Sequence, residues 1–388
     1  MATTFSNSLD SDASADFTYH VSGVTVTYPG EGIRLNTGGA GDYSLGIIKT
    51  VASFGVPGMS FEWYTTRASS GGTYAFSGIR KTGTLDYIGT YGVVWISANL
   101  ETTFTSTAVG SANDTWYKIK LVLKDDDTLD LYVDDVFIEN GNPGTPLIGQ
   151  ALYLQLAGAY YSPVVGYKDV TIHDPRDSVD SSTFDSSSGF TAVETQGTAV
   201  FDGEYSQTKT TANNWTGAGI YRTSPTTMKV GDRVTFAVKG LWSGLPESII
   251  WIRADAAINI STGIEGVGIY LHQSAGTDYL TRQNATFIND LEIGSDVWYR
   301  VDFTCDINGH LHIWATSDGD GPTTLIGSHT ATTFDGNDYY FATSIWYNST
   351  TIKLDNYEWL QLPEPPTGGD TGTSAVHMHN ILKRRKLQ

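Results

Sequence analysis

Glu62 and Glu292 each stand alone on a strand-like run, and Glu101 stands alone in a Thr-rich stretch. Glycosidic hydrolysis with retention needs an acid and a nucleophile about 5–5.5 Å apart. A single strand supplies them only when carboxylates alternate along it, and no such alternation occurs, so no catalytic residues are assigned and no enzyme is expected. Asp125-Asp126-Asp127 and Asp318-Gly319-Asp320-Gly321 are loop carboxylates that offer calcium a weak option. Calcium wants six to eight oxygens from several segments, and Asp and Gly are also the default residues of turns. His310 and His312 alternate with Trp314, but zinc takes three or four protein ligands, so the two histidines read as surface residues and no metal or cofactor is assigned. No Ser-His-Asp arrangement, phosphate-binding glycine loop or nucleotide fingerprint is recognisable.

Aromatic residues are the better signal. Sugars present apolar C–H faces that stack on exposed rings, with a few polar groups fixing orientation. Tyr160 and Tyr161, Trp215, and Trp346 and Tyr347 fall in loops or at strand ends and are the candidate carbohydrate-binding residues. Packing in a core is the competing use of each ring.

The elements that must position these residues are strands. Tyr117, Ile119, Leu121 and Leu123 alternate with Lys118 and Lys120, a turn follows at 124–127, and Leu129, Leu131 and Val133 alternate with Asp130, Tyr132 and Asp134. A tight turn at Asp134-Asp135 leads into Val136-Phe137-Ile138, which predicts a three-stranded meander opened by Trp116. A second meander opens at Trp298-Tyr299 and turns at Asp306-Ile307-Asn308-Gly309. Other markers repeat in the same order: Phe17 with Phe190, Leu45-Gly46-Ile47-Ile48 with Ala218-Gly219-Ile220-Tyr221, 59–63 with 234–238, and 168–172 with 353–359. The sequence therefore predicts an all-β chain of two tandem antiparallel sandwiches, 1–175 and 189–363, with a polar linker at 176–188 and a tail at 364–388.

Trp116-Tyr117, Tyr132-Val133-Asp134-Asp135 and Gly166-Tyr167-Lys168-Asp169-Val170 resemble markers of the concanavalin A-like lectin/glucanase superfamily, in particular its LamG-type or pentraxin-like jelly rolls. The second half keeps Trp298-Tyr299 and Asp355-Asn356-Tyr357 but lacks the Val-Asp-Gly type of turn. The resemblance implies two-sheet jelly rolls and says little about ligand.

The net charge of −19 argues against a body that wraps nucleic acid or lies on an anionic membrane. One cysteine, Cys305, excludes an intrachain disulfide and is expected as a buried thiol. No apolar run is long enough to span a bilayer, and the first sixteen residues have neither a basic start nor an apolar centre, so no signal peptide is expected. The tail contrasts with the body. Val376, Met378, Ile381, Leu382 and Leu387 supply apolar anchors around the cations Lys383, Arg384, Arg385 and Lys386, a composition expected of a docking peptide. Tandem LamG-like units ending in such a peptide resemble structural proteins of tailed bacteriophages. That resemblance implies a virion surface protein such as a head decoration, head fibre or tail-associated adhesin. It would be oligomeric in an assembly, with the tail on other virion proteins and the sandwiches meeting surface glycans. The alternatives are a free carbohydrate-binding protein outside or on a bacterial cell, and a polysaccharide hydrolase or lyase.

Overall fold

The computed structural model describes residues 3–20, 25–36, 45–67, 74–84, 90–96, 99–102, 109–110, 112, 114–159, 164–211, 216–241, 248–258, 266–274, 277–283, 286–287, 291–317, 323–346 and 349–363. Regular structure among them is strand, paired antiparallel throughout. In the first half, sheet 1A runs in the order Val136–Gly141, Leu129–Val133, Tyr117–Leu123, Ser60–Arg67, Val164–Asp174, Ile33–Asn36, Thr25–Thr27, with Thr3–Asn7 also on Val164–Asp174. Sheet 1B runs Val109–Gly110, Asn99–Thr102, Thr90–Ile96, Tyr74–Arg80, Ala151–Ala159, Leu45–Lys49, Phe17–His20, with Ser53–Phe54 also on Ala151–Ala159. The chain passes from sheet to sheet as a jelly roll does.

Alternation decides what lies between the sheets. Ile119, Leu121, Leu123, Leu129, Leu131, Phe61 and Trp63 point inward and are fully buried, while their neighbours Lys118, Lys120, Glu62 and Tyr64 point outward. A buried indole needs a partner for its N–H, and Trp63 Nε1 donates to Ser77 Oγ of the opposite sheet at 2.9 Å. Tyr167 does the same, its hydroxyl donating to the Ala157 carbonyl at 2.6 Å.

The second half repeats this plan strand for strand. Sheet 2A runs Thr324–His329, Leu311–Ser317, Trp298–Cys305, Arg233–Leu241, Thr351–Gln361, Tyr205–Thr208, Ala199–Phe201, with Thr286–Phe287 added at the Thr324–His329 edge. Sheet 2B runs Leu291–Glu292, Thr277–Gln283, Gly266–Ser274, Ser248–Arg253, Asp338–Ile345, Gly219–Arg222, Phe190–Val193. Backbone strain falls at the same places. The non-glycine left-handed residues Leu9, Asp114 and Asp169 (φ 59°, 56° and 50°) have counterparts at Phe184, Asp296 and Asn356 (φ 55°, 65° and 51°). Asp169 and Asn356 each mark a bulge in the strand at the centre of its A sheet.

This correspondence corrects the linker. The stretch 176–188 contains the strand Asp177–Ser182, paired with Thr351–Gln361 as Thr3–Asn7 is paired with Val164–Asp174. It is polar because it lies on a sheet edge, and Phe184 just beyond it is fully buried. The stretch 8–16, also polar in sequence, follows the strand Thr3–Asn7 and still sends Leu9 and Ala13 into the core.

Each sandwich has its own core, and a third cluster joins them. Ile48, Phe76, Tyr153 and Ala157 face outward from sheet 1B and close on Trp314, which faces outward from sheet 2A. Arg176, 1% exposed, pairs with Asp174 at 2.5 Å and donates to the carbonyls of Phe54 in the first sandwich (3.1 Å) and Gly231 in the second (3.0 Å). At Gly149 (φ 75°) a Cβ would lie 2.7 Å from Asp306 Cα, so the two backbones touch there.

Candidate functional site

Two regions of the first sandwich combine aromatic rings with polar groups open to solvent. The first is a cleft at the sandwich edge, between the edge strand Phe17–His20 of sheet 1B and the edge strand Thr25–Thr27 of sheet 1A. It is a shallow, open depression of about 650 Å³. Half-buried Tyr19 and Tyr28, buried Phe17, and the polar Asp12, Ser14 and Thr50 are among the residues that line it. The rings are held in place. The Ala13 amide donates to Tyr19 Oη at 3.1 Å, and Tyr19 Oη and Tyr28 Oη share a hydrogen bond of 2.9 Å. Partial burial, helped by that bond, pushes the Tyr28 phenol well above its usual range, so it stays protonated and able to donate. Two half-exposed aromatic rings, one carboxylate and several hydroxyls are the group types that suit a sugar. Asp12 is the one carboxylate on this lining, short of the pair that glycosidic hydrolysis uses.

The second region is the outer face of sheet 1A. Strand register lays its residues out in rows: Arg34, Gly166 and Thr66 opposite one another with Trp116 at the end, then Lys168, Tyr64 and Lys118, then Thr171, Glu62 and Lys120. Glu62 lies 2.7 Å from Lys120 and 3.3 Å from Lys118. Burial pushes its carboxyl up, but the two ammonium groups outweigh this and hold it below the usual range. It is a charged strut, unsuited to general-acid work.

The expected residues divide as follows. Tyr160, Tyr161, Trp215 and Tyr347 lie outside the described residues, as do the tail residues Val376, Met378, Ile381, Leu382, Lys383, Arg384, Arg385, Lys386 and Leu387 and the run 318–321. Trp346 is half-buried just beyond the strand Asp338–Ile345. Asp127 serves its turn, accepting from the amides of Leu147 (3.0 Å) and Ile148 (2.9 Å). Cys305 is a buried thiol whose pKa burial pushes far up.

His312 is a correction. It is 9% exposed and lies in the junction. Its Nδ1 meets Ser328 Oγ at 2.7 Å, and its Nε2 meets Asp306 Oδ2 at 3.0 Å and Gln150 Nε2 of the first sandwich at 3.2 Å. Tertiary structure thus assembles a Ser, a His and an Asp that are not recognisable as a group in the sequence. They do not form a nucleophile site. Ser328 is directly across from His312 on a paired strand and is 9% exposed, so no substrate reaches it. The cluster is a polar tie between sandwiches.

Tyr19, Tyr28 and Arg34 were not singled out from sequence, and Trp116 was named only as a marker of the fold. The signal for the tyrosines was slight: short strand runs ending in Tyr, the second just before Pro29-Gly30.

No protein-family model and no curated protein matches this chain. Among solved structures, one sandwich-length of it is similar to the CBM2 module of Lactobacillus casei BL23 phage J-1 evolved Dit: 11% identity, 48% of this chain and 96% of that one, TM-score 0.36. It is similar to a lectin from Bauhinia forficata in complex with GalNAc at 11% identity over 48% of this chain and 97% of that one, TM-score 0.34. A laminarinase from Flavobacterium sp. UMI-01 is similar at 10% identity over 48% of this chain and all of that one (100%), TM-score 0.33. The two-sandwich architecture rests on the strand pairing itself.

Proposed function

We propose that this is a non-enzymatic carbohydrate-binding protein that serves attachment, with the edge cleft of the first sandwich as its sugar site. The observation that carries the reading is the edge cleft lined by the hydrogen-bonded pair Tyr19 and Tyr28, with Asp12 as its one carboxylate. Stacking supplies the affinity and Asp12 with the rim hydroxyls the orientation. The setting we propose is a virion surface, with residues 376–387 docking on a particle protein. The support for that setting is the tail's composition, four cations among apolar anchors on a chain of net charge −19.

The test is a glycan array followed by titration calorimetry. Wild type binds neutral oligosaccharides, Tyr28→Ala loses about tenfold or more in affinity while still unfolding cooperatively above the assay temperature, and no reducing ends are released. Undiminished binding by Tyr28→Ala would refute the site, and sugar release would refute the non-enzymatic reading.

A further inference from the structure

The two sandwiches carry the same outer row on their A sheets, filled with different residues. In the second sandwich the row reads Ser206, Lys353, Lys239, Trp298. Lys239 sits 5.0 Å over the Trp298 ring and pairs with Asp296 at 2.9 Å, and Lys353 pairs with Glu204. Each cation there is neutralised by a carboxylate of the chain itself.

In the first sandwich the row reads Arg34, Gly166, Thr66, Trp116. Gly166 makes this geometry possible. A Cβ there would lie 2.7 Å from Arg34 Nη1, 2.8 Å from Thr66 Cγ2 and 2.9 Å from Trp116 Cη2, so these three side chains converge over the bare backbone. Arg34 lies 4.7 Å from the centre of the Trp116 ring and Lys168 4.6 Å from it. Among the described residues neither cation has a carboxylate partner. Two donors in the row are also unspent: Arg34 Nη1 and Thr66 Oγ1 are buried without a hydrogen-bond partner, Thr66 being 1% exposed. Lys118 and Lys120 lie farther along the same face, but Glu62 and Asp135 pair with them and balance their charge, so the uncompensated cations described on this face are Arg34 and Lys168.

We propose that Arg34 and Lys168, flanking Trp116, form a second binding site, which takes the carboxylate of a uronic acid residue in an acidic polysaccharide laid across sheet 1A. This deepens the carbohydrate-binding reading and rests on it. A planar guanidinium takes a carboxylate through two parallel hydrogen bonds, and Tyr64, 5.6 Å from the Lys168 ammonium, extends the aromatic surface. A body of net charge −19 opposes the more densely charged nucleic acid backbone, while the local cations favour a polymer whose charges are spaced by sugar rings.

The experiment titrates oligogalacturonate against the full chain, with a neutral β-glucan oligosaccharide and single-stranded DNA as comparators. Arg34→Ser, which installs the residue the second sandwich carries in this row, and Lys168→Ala should each weaken oligogalacturonate binding by about tenfold, and together abolish it. Binding should fall as salt rises from about 50 to about 300 mM. Thr66→Val, of nearly unchanged shape at a residue 1% exposed, and Lys239→Ala in the second sandwich should leave affinity unchanged. Neutral-sugar binding, read in the same variants, should be unaffected. The proposal is overturned if oligogalacturonate does not bind, if the double variant binds it as wild type does, or if DNA competes with equal affinity. Neutral-sugar binding lost only in Tyr28→Ala, with no oligogalacturonate binding, would sink this site and leave the cleft standing.

Discussion

Replacing Trp314 by alanine should uncouple the two sandwiches. The indole is 6% exposed although it lies on the outer face of sheet 2A, because Ile48, Phe54, Phe76 and Tyr153 of the first sandwich close over it. Its ring centre is 5.7 Å from that of Phe54. Its Nε1 donates to Thr304 Oγ1 at 2.9 Å, and Thr304 in turn donates to the Gly149 carbonyl at 2.6 Å. Truncating a fully packed tryptophan costs about 3–5 kcal/mol in transfer and cavity terms. Leaving the Thr304 hydroxyl without its donor adds about 1 kcal/mol. Trp314 belongs to neither core cluster, so the loss falls on the coupling between units. Calorimetry and guanidinium titration followed by fluorescence should show wild type unfolding in one transition and Trp314→Ala in two. Trp314→Phe keeps most of the packing, and its single transition should survive at a slightly lower midpoint. One transition at an unchanged midpoint in Trp314→Ala would refute the reasoning.

Asp232 is 1% exposed, and burial pushes its carboxyl up from 3.8 to about 6, against the hydrogen bonds that Gln361, Trp359 and the Lys229 amide donate to it. Because the folded state holds this proton more tightly than the unfolded one, stability from this group is full below about pH 4 and is lost as pH rises through about 6. Asp232→Asn should gain on wild type by on the order of 2–3 kcal/mol between those limits in chemical denaturation, and an unchanged difference across that range would count against the assignment. Arg176→Ala strands Asp174 in the junction and should cost about 3–5 kcal/mol, whereas Asp174→Asn with Arg176→Met should recover much of it, as a double-mutant cycle will read. Gly149→Ala combines a φ of 75° with a clash against the Asp306 backbone and should lower the melting temperature by several degrees, in contrast to Gly144→Ala, which has the same kind of φ and open space around it.

The sequence by itself determined the strands, their faces and the duplication. Tyr117 to Leu123 and Leu129 to Val133 alternate so strictly that which side chains enter the core follows from a period of two, and Ile119, Leu121, Leu129 and Leu131 are fully buried, whereas Val136 and Phe137 of the third strand are both exposed. The paired markers around Phe17 and Phe190 or Gly46 and Gly219 fall on corresponding strands because one backbone plan imposes the same local demands twice. Alternation says which residues point outward, but not what they meet there. Trp314 and His312 point outward into another sandwich, Lys118 and Lys120 into solvent, and no local pattern distinguishes them, because the distinction depends on a surface from a distant part of the chain. The strand at 177–182 was hidden for the same reason, since an edge strand can be as polar as a linker when its partner supplies the hydrogen bonds. Tyr19 with Tyr28, and Arg34 with Trp116, became neighbours only through strand pairing and sheet stacking. Backbone propensity and hydrophobic period are written residue by residue and can be read along the chain. A binding surface is a juxtaposition across it, and that was decided only when the sheets closed.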